Sequence, residues 1–101
     1  MKAKTKAKPT PFKAETQADL HRALGDPGRL AILASMKNGL TSSTAIGEAT
    51  GMQPQRLSRG LARLRYAGLV RRDLRGRERD YELVPQKISE MAAFLNSLAG
   101  L

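Results

Sequence analysis

Residues 52–83 read MQPQRLSRGLARLRYAGLVRRDLRGRERDYEL, and the fold turns on how this stretch divides. Leu57, Leu61 and Leu64 recur at i, i+4 and i+7, a spacing that stacks them on one face of a helix and requires that face to be buried. At about 100° per residue, Gln55, Arg59, Ala62, Arg63 and Tyr66 fall on the opposite side, with Arg56, Ser58 and Arg65 on the flanks. The outward face is thus made of forked donors and polar groups. A guanidinium can present two parallel N–H groups to O6 and N7 of guanine, or clamp a phosphate, so a helix of this design suits a DNA major groove. Residues 53–67 are expected to form it, with Pro54 in its first turn and Gly68 free to take the left-handed conformation just past its end.

Beyond that helix, residues 70–74 and 79–83 read as two short strands around Arg75-Gly76-Arg77, with Gly76 supplying the turn. Upstream, residues 43–50 fit a short helix capped by Thr41 or Ser42, and Gly51 makes the turn into the arginine-rich helix. Helix, turn, helix and basic hairpin together predict a winged helix-turn-helix, mainly α with a small β-hairpin: about five helices plus a two-stranded wing.

Two further helices precede this unit. Residues 14–24 carry Ala18, Leu20, Ala23 and Leu24 at helical spacing and stop at Gly25. Asp26-Pro27 then offers an N-cap oxygen and a residue already fixed at helical φ, opening a helix over residues 27–37 that Asn38-Gly39 ends. A last helix, residues 85–98, places Ile88, Met91, Ala92, Leu95 and Leu98 on a stripe of roughly 120°, which Phe94 widens to about 160°. Either Phe94 packs on the first helix or the terminal helices form a subunit interface. For a homodimer the expected interface residues are Leu20, Leu24, Met91, Phe94, Leu95 and Leu98.

Composition narrows the function classes. The chain has 101 residues, a formal net charge of +9 and no cysteine. Residues 1–13 carry five Lys and no acid, and residues 53–84 carry nine Arg against four acids, so both segments total +5, whereas residues 14–52 total −1 and residues 85–101 total zero. The positive charge sits in the tail and in the expected reading unit, and the choice of Arg in the second suits bidentate contacts. Residues 1–13 have no apolar face and are expected to be a basic disordered tail, either a solvated extension or an arm adding phosphate contacts; residues 14–101 form the domain. No run approaches the roughly 18 apolar residues of a membrane span, and no apolar leader is visible, which predicts a cytoplasmic protein without membrane contact. With one His, no Cys and the acids in cap or wing positions, no catalytic set is visible and no enzyme is expected.

Three local patterns resemble the ArsR/SmtB family of bacterial and archaeal winged-helix repressors, over roughly residues 18–98. LGDPGRLAIL (residues 24–33) is similar to the family's L-G-D-P-T-R-L-x-I-L. QPQRLSRGLARLRYAGLV (residues 53–70) is similar to its recognition-helix pattern ending L-x-x-L-R-x-A-G-L-V, and GRERDYEL (residues 76–83) to its wing G-R-x-x-x-Y-x-L. The resemblance implies a homodimer joined through its first and last helices, reading an imperfect palindrome in double-stranded DNA, with base contacts from Gln55, Arg56, Ser58 and Arg59. The remaining expected DNA-contacting residues are Ser42, Ser43 and Gln53 around the turn, Arg63 on the helix, and Arg75, Arg77 and Arg79 on the wing. Gly28 stands where Thr is usual and Gly60 where His is common; Gly60 either permits a close backbone approach or is tolerated drift. The Cys pairs and the Asp, Glu and His pairs through which many relatives sense metals are absent. His21 is the one imidazole, an ordinary surface or interface residue unless two subunits share it, so neither metal nor cofactor is expected, and any inducer should be organic. The competing class is a non-sensing winged-helix module that binds nucleic acid without a preferred site, or binds another protein.

Overall fold

The computed structural model describes residues 12–75 and 80–101. Five helices and one hairpin follow in the order α1 (Ala14–Leu24), α2 (Pro27–Lys37), α3 (Ser43–Thr50), α4 (Pro54–Tyr66), β1 (Val70–Arg72), β2 (Tyr81–Leu83) and α5 (Pro85–Ala99). The tail expected over residues 1–13 lies outside the described residues except at its last two positions. The first three helices keep their expected bounds, α4 begins at Pro54 with Gln53 as N-cap, and α5 runs one residue further, to a left-handed Gly100.

Each boundary has a local cause. Asp26 caps α2 by accepting the Arg29 N–H at 3.0 Å, with Pro27 at the first helical position. Ser42 caps α3 by accepting the Ala45 N–H at 3.0 Å, and Gly51 closes it at φ +70°. After α4, Gly68 turns the chain at φ +83° while the Leu69 N–H returns to the Leu64 carbonyl at 3.0 Å, satisfying one of the carbonyls a helix end leaves open. This hydrogen bond aims Leu69 and Val70 straight into the core.

That core is a single cluster drawn from all five helices and the wing root: Leu20 and Ala23 from α1, Ile32 and Met36 from α2, Ile46 from α3, and Leu57, Leu61 and Leu64 from α4. Leu69 and Val70 of the wing root and Met91 of α5 complete it. Ser35, the one buried polar residue among those described, donates its hydroxyl to the Ile32 carbonyl at 2.7 Å. Gly60 is buried where α4 crosses α2, and a Cβ there would lie 2.8 Å from Ile32 Cδ1. Of the two readings of Gly60, close approach is the one observed.

The hairpin is shorter than expected. β1 and β2 pair antiparallel with Val70 opposite Leu83, Arg71 opposite Glu82 and Arg72 opposite Tyr81. The ladder does not reach Leu74, because Asp73 turns its carboxylate back to accept the Arg75 N–H at 3.0 Å, which leaves Leu74 91% exposed. The wing is also tied to the turn before α3, where the Tyr81 N–H donates to the Thr41 carbonyl at 2.9 Å and Ser42 bridges Asp80.

The terminal helices divide the expected interface residues between the chain's own core and its surface. Leu20 and Met91, expected at a subunit interface, are 2% and 4% exposed within the chain's own core, where they fasten α1 and α5 to the body and offer no surface to a partner. Leu24 is half-buried against the same core. Phe94 packs against α1 and the segment leading into it, with its ring 5.0 Å from that of Phe12, two residues before the helix, and 6.4 Å from that of His21. Leu95 and Leu98 remain in solvent, 50% and 70% exposed.

Candidate nucleic-acid interface

The buried positions of α4 fix the direction of its other side chains. With Leu57, Gly60, Leu61 and Leu64 inward, Gln55, Arg59, Ala62 and Tyr66 point straight out, and all four are exposed. Arg56 and Arg63 lie on the flank toward α2, while Pro54, Ser58 and Arg65 lie on the flank toward α3 and the wing. The expected reading set is therefore split along the helix. Gln55, Arg56, Ser58 and Arg59 occupy its exposed first half, the half a groove-inserted helix presents to base edges.

Arg63 departs from the expected outward placement. Its Nη2 donates to Asp19 Oδ1 of α1 at 3.1 Å and its side chain is 30% exposed, so it braces α4 against α1 and does not extend into solvent. The nearby α1 carboxylate attracts the guanidinium inward, and the spacing within α4 alone gave no sign of it. Ser42, expected to contact DNA, has committed its hydroxyl oxygen to capping α3. Ser43 and Ser58 both line an open groove of about 520 Å³ between α3 and α4, together with Leu57, Leu61 and Tyr81. Gln53 is exposed at the N-cap of α4.

On the wing, Arg75 is held by two carboxylates, Asp73 at 3.3 Å and Glu82 at 3.2 Å, and Glu82 also accepts from Arg71 Nε at 2.5 Å. The backbone N–H of Arg75, and then its guanidinium, hold the Asp73 carboxyl below the usual carboxylate range; Asp73 in turn raises the Arg75 guanidinium above its ordinary value. Arg75 remains 82% exposed, so it can exchange these partners for a phosphate at small cost. Arg77 and Arg79 lie outside the described residues.

Sequence reasoning missed Arg29. Its guanidinium donates Nε to the Ala23 carbonyl at 2.6 Å and Nη2 to the Arg22 carbonyl at 3.0 Å, closing the end of α1 from the first turn of α2. The signal was present in LGDPGR, where a cation three residues beyond an Asp cap follows directly on the end of another helix.

Among the described residues no group of three or more His, Cys, Asp or Glu side chains could hold a metal ion. His21 is walled by Phe94, and its Nε2 is buried without a hydrogen-bond partner among the described residues. No helix of the described residues is long and apolar enough to cross a membrane.

Comparison with known proteins agrees with this geometry. Residues 26–72 match the family described as bacterial regulatory protein, arsR family. The HTH-type transcriptional regulator NmtR of Mycobacterium tuberculosis is 37% identical over 70 residues, 69% of this chain and 58% of that protein, so the chain spans rather more than half the length of this curated relative. Among solved structures, the homodimeric winged helix-turn-helix DNA-binding domain Mb0332 of Mycobacterium bovis, a possible ArsR-family transcriptional regulator, superposes with a TM-score of 0.68 at 28% identity, covering 86% of this chain and 81% of that one. NolR of Sinorhizobium fredii gives 0.63 at 25% identity, covering 91% and 98%. The three motifs and these comparisons point the same way: the chain is similar to ArsR-family proteins, its fold is a winged helix-turn-helix, and the proteins it matches are described as transcription regulators.

Proposed function

We propose that this chain, an ArsR-family winged helix, represses transcription by binding a palindromic site in double-stranded DNA as a homodimer, in the cytoplasm. The observation that carries the reading is the division of α4: an apolar face wholly buried and an opposite face presenting Gln55 and Arg59, with Arg56 and Ser58 beside them, all exposed. Exposed forked donors on the first half of a helix that stands on a helix-turn-helix have the geometry of major-groove readout. Two copies supply the palindrome, because a two-fold dimer places two such helices about one DNA turn apart. Leu95 and Leu98, exposed on α5, supply apolar surface for that pairing, and the M. bovis domain of the same fold is described as homodimeric. An organic inducer, if there is one, has a groove available at Ser43, Ser58 and Tyr81, next to the reading helix.

The test is nuclease protection of the duplex upstream of the chain's own gene. Two protected half-sites with two-fold sequence symmetry are expected. Uniform protection at every sequence would instead assign the protein to the class of winged helices that bind nucleic acid without a preferred site.

A further inference from the structure

Between the first turn of α2 and the flank of α4 the surface sinks into a depression of about 410 Å³, whose walls carry Arg29, Arg56, Arg59 and Arg63 against a single acid, Asp26. The four guanidiniums differ in what they have left to give. Arg29 is committed to the carbonyls at the end of α1. Arg63 gives Nη2 to Asp19, while its Nη1 is buried with no hydrogen-bond partner among the described residues. Arg56 and Arg59 make no hydrogen bond or ion pair among the described residues. Arg56 nevertheless has a fixed place, for a Cβ built at Gly28 would lie 2.8 Å from its Nη2 and 3.2 Å from its Cζ. Its guanidinium and Asp26 Oδ2, 3.1 Å from the same point, together take the space of a side chain at position 28, against the first turn of α2.

Asp26 is the one acid in the lining of this depression, so without a ligand positive charge is in excess there. A cation lies at the positive end of a helix, where an anion is the favoured occupant, and further guanidiniums stand beside it. A tetrahedral oxoanion would reverse each of these interactions. It would pair with the fork of Arg56, supply Arg63 Nη1 with an acceptor, and lie at the start of α2, where helix N-termini favour phosphate. Asp26 does not oppose this strongly, since its carboxylate is turned to the Arg29 N–H as an N-cap.

We propose that this depression is a phosphate subsite, formed by Arg56 and Arg63 at the first turn of α2, with Arg59 on its outer rim left to the base contact. The phosphate can come from the DNA backbone, in which case the proposal rests on the DNA reading above and gives Arg56 a holding role in place of a base contact. It can equally come from a free phosphorylated small molecule.

The experiment is a titration of the full chain with inorganic phosphate at constant ionic strength, following the arginine Nε–Hε and backbone amide resonances by NMR. Saturable shifts are expected at Arg56, Arg63 and Gly28, with Arg65 and Arg71 nearly still. Arg56→Gln should weaken the phosphate affinity by about tenfold, the scale of one charge-assisted hydrogen bond. Gly28→Ala should do the same, because its new methyl would lie 2.8 Å from Arg56 Nη2 and displace the far end of that side chain. It would also lie 3.1 Å from the capping Asp26 Oδ2, so the Arg29 amide resonance is followed as the check that the cap survives. Uniform drift of all arginine resonances, equal in phosphate and chloride, would overturn the subsite. The source is read by repeating the titration with duplex DNA present. Local shifts produced by the duplex itself, with inorganic phosphate then excluded, assign the site to the DNA backbone; phosphate uptake by the DNA-bound protein assigns it to a free anion. Duplex binding without any local phosphate response overturns the subsite and leaves the DNA reading standing, whereas a phosphate response without duplex binding does the reverse.

Discussion

Arg59 and Arg63 stand one turn apart on α4 and yet differ in what holds them. Arg59 is exposed on the outward face, so Arg59→Ala should cost about 1 to 3 kcal/mol on the cognate duplex and relax the preference at one base pair per half-site. Arg63 is paired with Asp19, so Arg63→Ala should lower folding stability by about 1 kcal/mol or less, as a partly exposed ion pair does, and leave base preference unchanged. Binding isotherms on cognate and scrambled duplexes, read beside urea denaturation, separate the two. Equal losses for Arg59→Ala on both duplexes would mean that the reading face has been misplaced. Asp73 gives a pH prediction of defined sign. Its carboxyl is held below the ordinary value first by the Arg75 backbone N–H and then by the guanidinium, so its contribution to wing order is present above the ordinary carboxylate range and is lost as pH falls through the depressed value. Arg75→Ala leaves the backbone donor in place, and NMR titration should find the Asp73 carboxyl only partly restored. A full return to the ordinary value would put the guanidinium first.

Among the elements, the crossing of α2 and α4 is the most demanding contact, because Gly60 and Ile32 meet with no room for a Cβ. Gly60→Ala gains about 1 kcal/mol of helix propensity but forces a methyl into a packed interface, where overpacking costs about 1 to 3 kcal/mol. A net loss is therefore expected, and pairing it with Ile32→Val should recover part of it; urea denaturation of the single and double variants measures the coupling. Additive effects would show that the two residues do not touch. The same contact shows where the sequence was legible and where it was not. Helix ends could be read from Asp26-Pro27, Ser42, Gly51 and Gly68 because caps and left-handed turns are chosen by local chemistry, and the burial of Leu57, Leu61 and Leu64 could be read because period is a local property. Gly60 remained ambiguous because its meaning lies in Ile32, 28 positions away. Arg63 was misplaced for the same reason, its partner being in α1. Leu20 and Met91 were read as interface because periodicity reports that a face is apolar and does not say whether the chain's own body or a second subunit covers it.

At the scale of the whole molecule, the account joins a +9 chain with a reading helix and an apolar face on α5 that the chain itself leaves open. Leu95→Asp should yield monomers and abolish binding to a two-half-site duplex while the fold persists, since Leu95 is half-exposed in the single chain. Light scattering showing a stable wild-type monomer at micromolar concentration would contradict the dimer. Association with duplex DNA should weaken steeply with salt: release of about 6 to 10 phosphate counterions lowers affinity by a factor of roughly 10³ to 10⁵ between 50 and 200 mM. The central claim is that two copies of α4 read a specific duplex sequence, and selection from a random-sequence duplex pool, followed by footprinting of the enriched DNA, tests it most directly. The account predicts convergence on an imperfect palindrome whose two protected half-sites lie about one DNA turn apart; a pool that stays random, or protection that spreads evenly along every duplex, would contradict it.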